Sequence, residues 1–343
     1  MSEPTVVGQG ALAVVPGGHV TTPKGFLAGA VYAGIKTYGE EKLDLAILYS
    51  IAPCAAVAMF TTNAVKGAPL IVTRDHLRAA RPRALVVNAG VANVATGREG
   101  LADAEEMCRL VAAKLDLAPE EVLVASTGVI GKRLPMERIR HGIADIGVTE
   151  DGGERFAHAI MTTDTRPKTA CVRVTAGARE HVIGGVAKGA GMIHPNMATM
   201  FAFVTTDAPV EPAFLDRAFR QAVDDTLNMV SVDGDTSTSD MALILANGVA
   251  GGSPLDGFGP ASEAFAAGLR EVLTSLARQI ARDGEGATRL LTVRVEGAAS
   301  REDARAAARA VTASPLVKAA VWGRDPNWGR MLMAVGRSGA RID

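Results

Sequence analysis

The chain has 343 residues, which suits two domains or one large α/β unit. Hydrophobic residues make up 48% of the chain and aromatic residues only 4%, so its core must consist mainly of Ala, Val, Leu, Ile and Met. The net charge of −1 argues against a general nucleic-acid surface, because phosphate binding needs clustered positive charge.

Several other classes of protein are also disfavoured. Cys54, Cys108 and Cys171 are far apart and form no CxxC motif, so neither a zinc site nor a disulfide framework is indicated. The start of the sequence has no charged region followed by an apolar one, as a secretory signal would, and we therefore expect a cytoplasmic protein without a membrane partner. The long uncharged run over 45–65 contains polar residues and is typical of buried strands.

In the first half of the chain, short apolar runs alternate with alanine-rich ones. A helix is predicted over 100–117, and a strand over 120–131 that runs into a glycine-rich turn. Three further runs that end at turn residues predict buried strands: "AVAMFTT" from Ala56, "APLIVT" from Ala68 and "ALVVNAG" from Ala84.

The same alternation continues in the second half. A helix is predicted over 154–161 and strands within 162–176 and over Phe201–Thr206. Two longer helices follow, and the second ends at the glycines of "DGEGAT". Leu291–Val295 alternates as a strand does. Together these patterns predict an α/β (α+β) fold with mixed sheets sandwiched between helices.

Two glycine-rich or acidic segments resemble known binding loops only superficially. "GGVAKGAG" lacks the hydroxyl residue and glycine spacing of a phosphate loop. "DGDTSTSD", residues 233–240, lacks the glycine and distal glutamate spacing of a calcium loop. A polar turn is favoured there over a metal site, because Asp, Ser and Thr side chains readily bond to nearby backbone.

One segment remains, "AKGAGMIHPNMATMF" over 187–201. It places Thr199 directly after the small Ala198 and four residues after Pro195. Attack of Thr199 Oγ on the carbonyl of Ala198 would give an ester, and hydrolysis of that ester would free an α-amino group on Thr199. Such an amine has an ordinary pKa of about 7.7–8.0 and can act as base for the hydroxyl on the same residue. Taken alone, however, an Ala-Thr pair beside a strand more often serves structure.

Eight sequence blocks together resemble the arginine-biosynthesis ornithine acetyltransferase family, also called glutamate N-acetyltransferase. They follow family order over essentially the whole chain: "GFLAGAVYAGIK", "FTTNAVKGAP", "VLVASTGVIGK", "AIMTTDTRPK", "AKGAGMIHPNMATM", "VSVDGDTSTSD", "DGEGATRLLTVRVEGA" and "GRDPNWGRMLMAVGRSGA". The resemblance implies a fold of the N-terminal-nucleophile type, self-cleavage at Ala198–Thr199, and transfer of acetyl from N2-acetylornithine to glutamate through an acetyl-threonine.

The resemblance also assigns roles to individual residues. Thr199 becomes the nucleophile and a substrate contact, and Thr127 with Gly128 becomes the oxyanion hole. Substrate binding falls to Thr162, Lys188 and Glu285. Each assignment has an ordinary structural alternative, namely a strand-to-helix turn for Thr127 and Gly128, a polar cluster for Thr162, a surface lysine for Lys188 and a helix-ending loop for Glu285.

Cleavage would divide the chain into an α part, 1–198, and a β part, 199–343, and the resemblance suggests an α2β2 assembly. No metal and no cofactor are expected, with acetyl-CoA left open as an acetyl donor in a bifunctional enzyme. Two alternatives are an N-terminal-nucleophile aminopeptidase or amidohydrolase, and an inactive family member that only binds. Family chains usually continue for several dozen residues past "GRSGA", so this chain is expected to be short at its C-terminus.

Overall fold

The computed structural model describes residues 5–7, 10–36, 42–176, 179–194 and 200–342. Its strands are β1 (Thr5–Val7), β2 (Gly10–Val14), β3 (Phe26–Val31), β4 (Leu45–Ser50), β5 (Ala55–Phe60), β6 (Ala84–Val91), β7 (Val122–Val129), β8 (Lys168–Ala176), β9 (Arg179–Lys188), β10 (Phe201–Thr206) and β11 (Met241–Ala246). Its α-helices are α1 (Ala68–Ala79), α2 (Gly97–Leu115), α3 (Met136–Asp145), α4 (Gly153–Ala159), α5 (Pro212–Asp225), α6 (Gly259–Arg282), α7 (Arg301–Ala313), α8 (Pro315–Gly323) and α9 (Trp328–Gly336).

These strands form two mixed sheets. The larger has seven strands in the order β1-β2-β8-β9-β10-β11-β5, and the smaller has four in the order β3-β4-β6-β7. In each sheet one neighbouring pair is parallel, β10 with β11 and β6 with β7, and the other pairs are antiparallel. The expectation of mixed sheets between helices is therefore confirmed.

The sheets and helices stack in layers. One apolar cluster lies between α5, α6 and the outer face of the seven-stranded sheet, and another lies between α2, α3 and the outer face of the four-stranded sheet. A third fills the space between the two sheets. Because both faces of the central strands are covered, every residue of β6, β10 and β11 is buried, as the continuous apolar runs of these strands require.

Register brings the ends of three strands of the larger sheet side by side. Phe201, the first residue of β10, lies opposite Lys188, the last residue of β9, and also opposite Met241, the first residue of β11. The Met241 N–H donates to the carbonyl of Met200 at 3.0 Å. Strands on either side of the Ala198–Thr199 bond therefore belong to one sheet.

The prediction of a strand from Ala68 was wrong, because these residues begin α1. Pro69 occupies the first turn of the helix, where its missing N–H costs no hydrogen bond. Leu70 packs into the core between the sheets, and Val72 packs against the α2 side of the smaller sheet. A short apolar run has the same composition in a buried strand and in a buried helix, so periodicity could not separate them.

The predicted strand over Leu291–Val295 was also wrong, since the structure shows neither strand nor helix there. The alternating apolar residues of this segment are nevertheless the ones that pack inward. Leu291 and Val293 pack against a small cluster made by Val311, Val317 and Ala334 of the last three helices. What the segment lacks, among the described residues, is a neighbouring strand to satisfy its backbone groups.

The last helices are attached to the main body by polar contacts. Arg305 of α7 pairs with Asp225 at 3.0 Å, and Lys318 of α8 donates to the carbonyls of Ser231 and Val232 at 2.9 and 2.5 Å. None of the helices in the described part of the chain has the length and apolar character to span a bilayer.

Phe203 of β10 provides a test of the core between the sheets. Its ring lies 5.2 Å from that of Phe201 and 6.1 Å from that of Phe156, and the residue is buried. Phe203→Ala should lower the free energy of unfolding by about 3–5 kcal/mol, because it leaves a cavity in a closed layer. The measurement is urea denaturation, with Phe258→Ala as the matched control at a phenylalanine that is 80% exposed. Equal, small effects of the two substitutions would contradict this packing.

Candidate active site

The expected cleavage site, Ala198 and Thr199, lies outside the described residues. The described chain stops at His194 and resumes at Met200. The other predicted site residues, Thr127, Gly128, Thr162, Lys188 and Glu285, are all described.

Lys188 lies at the end of β9 and faces the space between the sheets. Val186, two residues earlier, belongs to the inter-sheet core, and alternate residues of a strand share a face. The Lys188 side chain is half-buried, with Nζ 5.3 Å from the centre of the Phe201 ring. No carboxylate of the described residues forms an ion pair with it. Its charge is therefore available to an anion.

Thr127 and Gly128 lie just before the last residue of β7 in the neighbouring sheet. Leu123 and Ala125 point into the inter-sheet core, so Thr127 points the same way and is buried. Gly128 has a φ of +129° and lies against the backbone of Gly90 on β6, where a Cβ would overlap the Gly90 carbonyl group. This position accepts only glycine, which leaves the backbone of the turn accessible.

Thr162 follows α4 and is held through its backbone. Its N–H donates to Asp164 Oδ2 at 3.0 Å, while Asp164 Oδ1 accepts from the N–H of Gly189 at 2.7 Å. A single buried carboxylate thus ties Thr162 to the residue that follows Lys188. Thr162 therefore lies in a polar cluster after a helix, as its ordinary structural alternative expected. The same cluster also holds Gly189, the residue next to Lys188.

Lys168, the first residue of β8, is fully buried between two carboxylates. Its Nζ lies 2.6 Å from Asp164 Oδ1 and 2.6 Å from Asp283 Oδ2. Asp283 also accepts hydrogen bonds from the N–H and the hydroxyl of Thr165. Burial acts to raise the pKa of Asp164, but Lys168, Lys188 and the Gly189 N–H outweigh it and hold that pKa below its ordinary value.

Glu285 is brought to the site by this same cluster. It stands two residues after Asp283, and its N–H donates to the carbonyl of Ala190 at 2.9 Å. Its carboxylate lies against Gly191, where a Cβ would overlap it, and its side chain is exposed. Glu285 therefore contacts the same segment that carries Lys188, from the outer side.

Lys36 links the end of α4 to the residues beside the smaller sheet. The backbone of Ile35 and Lys36 lies against Gly90, next to Gly128. Lys36 Nζ donates to the carbonyls of Leu43 at 2.7 Å and Ala159 at 3.4 Å. Burial lowers the pKa of this lysine to about 8, against the opposing influence of Asp44 and Asp164. The Thr127–Gly128 turn and the Asp164 cluster are thereby neighbours.

The acidic loop 233–240 holds the backbone of Met192 and Ile193 through hydrogen bonds. Asp233 accepts the N–H groups of Met192 at 2.6 Å and Ile193 at 2.9 Å, and also that of Asp235 at 3.1 Å. This is the polar turn that the sequence favoured. In the described part of the chain, no group of three or more His, Cys, Asp or Glu side chains is arranged to hold a metal.

A cavity of about 490 Å³ lies to one side of these residues. It is bounded by α6, the segment 286–293 and α8, and it includes Glu285 but none of Thr127, Thr162 or Lys188. We place the candidate site at the strand ends instead, because Lys188, which has no ion pair with the described residues, and the Thr127–Gly128 turn both lie there.

Sequence reasoning missed the buried charges that organise the site: Lys36, Asp164, Lys168 and Asp283. Asp164 and Lys168 lie inside a quoted block, "TTDTRPK", but were interpreted as part of a polar cluster. Spacing did not reveal that Lys168 reaches Asp283, 115 residues away in the chain.

The chain matches proteins of known family over most of its length. The model described as the ArgJ family matches residues 27–343. The arginine biosynthesis bifunctional protein ArgJ of Dehalococcoides mccartyi is 52% identical over 330 residues, which cover 96% of this chain and 82% of that protein. The protein of the same name from Symbiobacterium thermophilum is 54% identical over 328 residues, covering 95% and 82%.

Two solved structures match over a smaller part. The arginine biosynthesis bifunctional protein of Bacillus halodurans gives a TM-score of 0.53 at 38% identity, covering 55% of this chain and 99% of its own. The ornithine acetyltransferase of Mycobacterium tuberculosis, solved in complex with ornithine, gives 0.50 at 39% identity, covering 55% and 100%.

The Lys168 cluster yields a prediction for stability and its pH dependence. Lys168→Met should lower the free energy of unfolding by about 3–5 kcal/mol, because it leaves two buried carboxylates without their cation. Without that cation their native pKa values rise above the unfolded ones, so protonation favours the folded variant. The deficit should therefore shrink as the pH falls through the carboxyl range.

Urea denaturation at neutral and acidic pH measures both effects. Arg220→Met is the matched control, since the Arg220–Asp216 pair is half-exposed and should contribute no more than about 1 kcal/mol. A deficit that does not change with pH would mean that the two carboxylates are not what Lys168 stabilises.

Proposed function

Since this chain belongs to the ArgJ family, we propose that it transfers acetyl from N2-acetylornithine to glutamate, giving ornithine and N-acetylglutamate, after cutting itself at Ala198–Thr199. Membership makes the chain an acyltransferase enzyme of arginine biosynthesis, and it confirms the family resemblance drawn from the sequence blocks. The direction of transfer and the self-cleavage are the parts that we propose.

The observation that carries the proposal is the pairing of a free cation with an oxyanion turn. Lys188 presents an ammonium without a described ionic partner beside the start of β10. Thr127 and Gly128 lie at the same end of the facing sheet. An amino-acid substrate needs a cation for its α-carboxylate, and acyl transfer needs donors for the developing oxyanion. Glu285 offers a carboxylate to the substrate's ammonium group.

Cleavage is proposed as an acyl shift followed by hydrolysis. Thr199 Oγ loses its proton and bonds to the Ala198 carbonyl carbon, the C–N bond breaks, and the nitrogen takes up a proton to become the α-amine. Water then hydrolyses the ester and releases the Ala198 carboxylate. The two structural matches support this, because 55% of the chain, about 190 residues, is nearly their whole length and close to the 198 residues of the α part.

Transfer then uses the new amine as base. It takes the Thr199 Oγ proton as Oγ attacks the acetyl carbonyl of N2-acetylornithine, and it returns the proton to the ornithine nitrogen as the amide C–N bond breaks. The amine of glutamate attacks the acetyl ester, and the Thr199 oxygen leaves and is reprotonated. Thr127 and Gly128 would stabilise the oxyanion in both steps.

The assembly is proposed from the topology. β10 pairs with β9 along the whole length of β10, so the α and β parts should stay together after cleavage through one shared sheet. We propose the α2β2 form on the family resemblance, and native mass spectrometry tests it. An assay with acetyl-CoA in place of N2-acetylornithine tests for a second acetyl donor, as the word bifunctional in the relatives' names suggests.

The main alternative is an amidohydrolase, in which water accepts the acetyl group. Lys188 and Glu285 favour an amino-acid acceptor, since both charges of such a molecule would find a partner. Ornithine release from N2-acetylornithine, measured with and without glutamate, separates the two. Release that is equally fast without glutamate, and yields free acetate, would identify a hydrolase.

Self-cleavage gives the first functional prediction. The purified protein should run as two chains, residues 1–198 and 199–343, and Thr199→Ala should remain a single chain without transferase activity, because the attacking hydroxyl is absent. Intact mass spectrometry measures the products. Thr292→Ala, at an exposed threonine, is the control and should cleave normally. Cleavage at another bond, or cleavage that persists in Thr199→Ala, would overturn the mechanism.

The oxyanion hole gives the second. Thr127→Ala should reduce turnover by on the order of 10²–10³ with a much smaller change in KM, since the lost donor acts mainly in the transition state. Steady-state kinetics measure both parameters. Val129→Ala on the same strand, at an exposed side chain, is the control. Near-normal turnover in Thr127→Ala would place the oxyanion elsewhere.

A further inference from the structure

The segment before the expected cleavage bond is joined through its backbone to the loop 232–236. The Val232 N–H donates to the carbonyl of Ile193 at 2.6 Å, and the Thr236 hydroxyl donates to the carbonyl of His194 at 3.0 Å. Ile193 and Thr236 also form an antiparallel bridge, and the Ile193 side chain is buried in the core beneath α5 and α6. The loop therefore contacts this segment as a neighbouring strand does.

The same stretch of chain also holds the residue after the expected bond. The Met241 N–H donates to the carbonyl of Met200 at 3.0 Å, and Met200 is fully buried. Phe201 then pairs with Met241 as β10 joins β11. Both ends of the segment 195–199 are thus attached to residues 232–241, which belong to the β side of the expected cut.

Asp233 is the residue of this loop whose side chain holds the segment. Its Oδ2 accepts the N–H of Met192 at 2.6 Å, and its Oδ1 accepts the N–H groups of Ile193 at 2.9 Å and Asp235 at 3.1 Å. A carboxylate forms stronger hydrogen bonds to backbone amides than a neutral acceptor does. Asp233 therefore fixes two consecutive amides of the segment.

Met192 has a backbone conformation that needs such support. Its φ is +58°, in the left-handed region that residues with a Cβ rarely occupy. Its side chain is 42% exposed, so packing in the core does not impose this conformation. The hydrogen bond from its own N–H to Asp233 is the contact that holds it. Backbone strain of this kind persists only where neighbouring groups maintain it.

We propose that Asp233 is a positioning residue for self-cleavage, because it holds Met192 in the conformation that directs the chain toward the cleavage bond. This rests on the proposed cut at Ala198–Thr199. Three residues separate His194 from Ala198, so fixing the first limits where the carbonyl of the second can lie. Attack of the Thr199 hydroxyl on that carbonyl depends steeply on the placement of the two groups. Asp233 acts on this step through the backbone.

Asp233→Asn tests the contact at an exposed position, where the substitution leaves the core intact. Asparagine has one acceptor oxygen instead of two, so its NH2 group must face either the N–H of Met192 or those of Ile193 and Asp235. We expect cleavage to slow by roughly 10-fold, since a charge-assisted hydrogen bond is lost. Asp235→Asn, at an exposed aspartate of the same loop, is the matched control and should cleave at the wild-type rate.

The rate is measured on the full chain. Cell-free synthesis with a short pulse of labelled methionine, followed by a chase and a denaturing gel, gives the fraction cleaved against time.

Met192→Gly separates positioning from a general loss of stability. Glycine adopts the left-handed conformation without the cost that a Cβ brings, so it should restore most of the lost rate in the Asp233→Asn chain. The substitution also loosens the unfolded chain, so it would not rescue a variant that was merely less stable. In the otherwise wild-type chain it should change the rate little, because Asp233 already holds the conformation.

A wild-type cleavage rate in Asp233→Asn, or a slow rate that Met192→Gly does not improve, would overturn the inference while the proposed cut stands. If wild type is not cut at Ala198–Thr199, the proposed function fails, and the positioning role fails with it. Amide hydrogen exchange on the uncut Thr199→Ala chain tests the contact separately. The Met192 amide should be protected there, and Asp233→Asn should remove that protection; equal exchange in both chains would contradict the contact.

Discussion

The active-site region depends on one buried ammonium group, that of Lys168 between Asp164 and Asp283. Asp164 holds the backbone of Thr162 and Gly189, and Asp283 ends α6 two residues before Glu285. Three proposed substrate contacts from separate parts of the chain are thus positioned by a single charge. A buried cation with two good carboxylate partners resists displacement, because removing any member leaves an unpaired charge in the interior.

This arrangement gives the two lysines at the strand ends different roles. Lys168 is neutralised by its own carboxylates, whereas Lys188 forms no ion pair with the described residues and lies over the Phe201 ring. The distinction arises from register, since Lys168 starts β8 and Lys188 ends β9 at the same edge of the sheet. The smaller sheet then supplies Thr127 and Gly128 across the inter-sheet core, and the close contact of Gly128 with Gly90 holds that turn in place.

Much of the fold followed from periodicity. β10 was predicted with its observed bounds, and the end of α6 was predicted at the glycines that follow it, because burial on both faces or on one stripe leaves a direct mark on composition. The two errors have one cause. Residues 68–73 and 291–295 carry apolar patterns that suit more than one structure, and the partners that decide between them lie elsewhere in the chain.

By itself, the sequence determined the layered α/β fold and the family blocks, because these depend on local pattern and residue type. The resemblance carried by those blocks, and not the pattern itself, proposed the candidate residues Thr127, Gly128, Thr162, Lys188, Thr199 and Glu285. Only the tertiary structure decided which charges are buried, which are paired and which are free. Lys168 and Asp283 are 115 positions apart in the chain, yet they form a buried ion pair. The strength of an electrostatic interaction depends on the distance between the charges and on their burial. Neither quantity can be deduced from the spacing of residues along the chain.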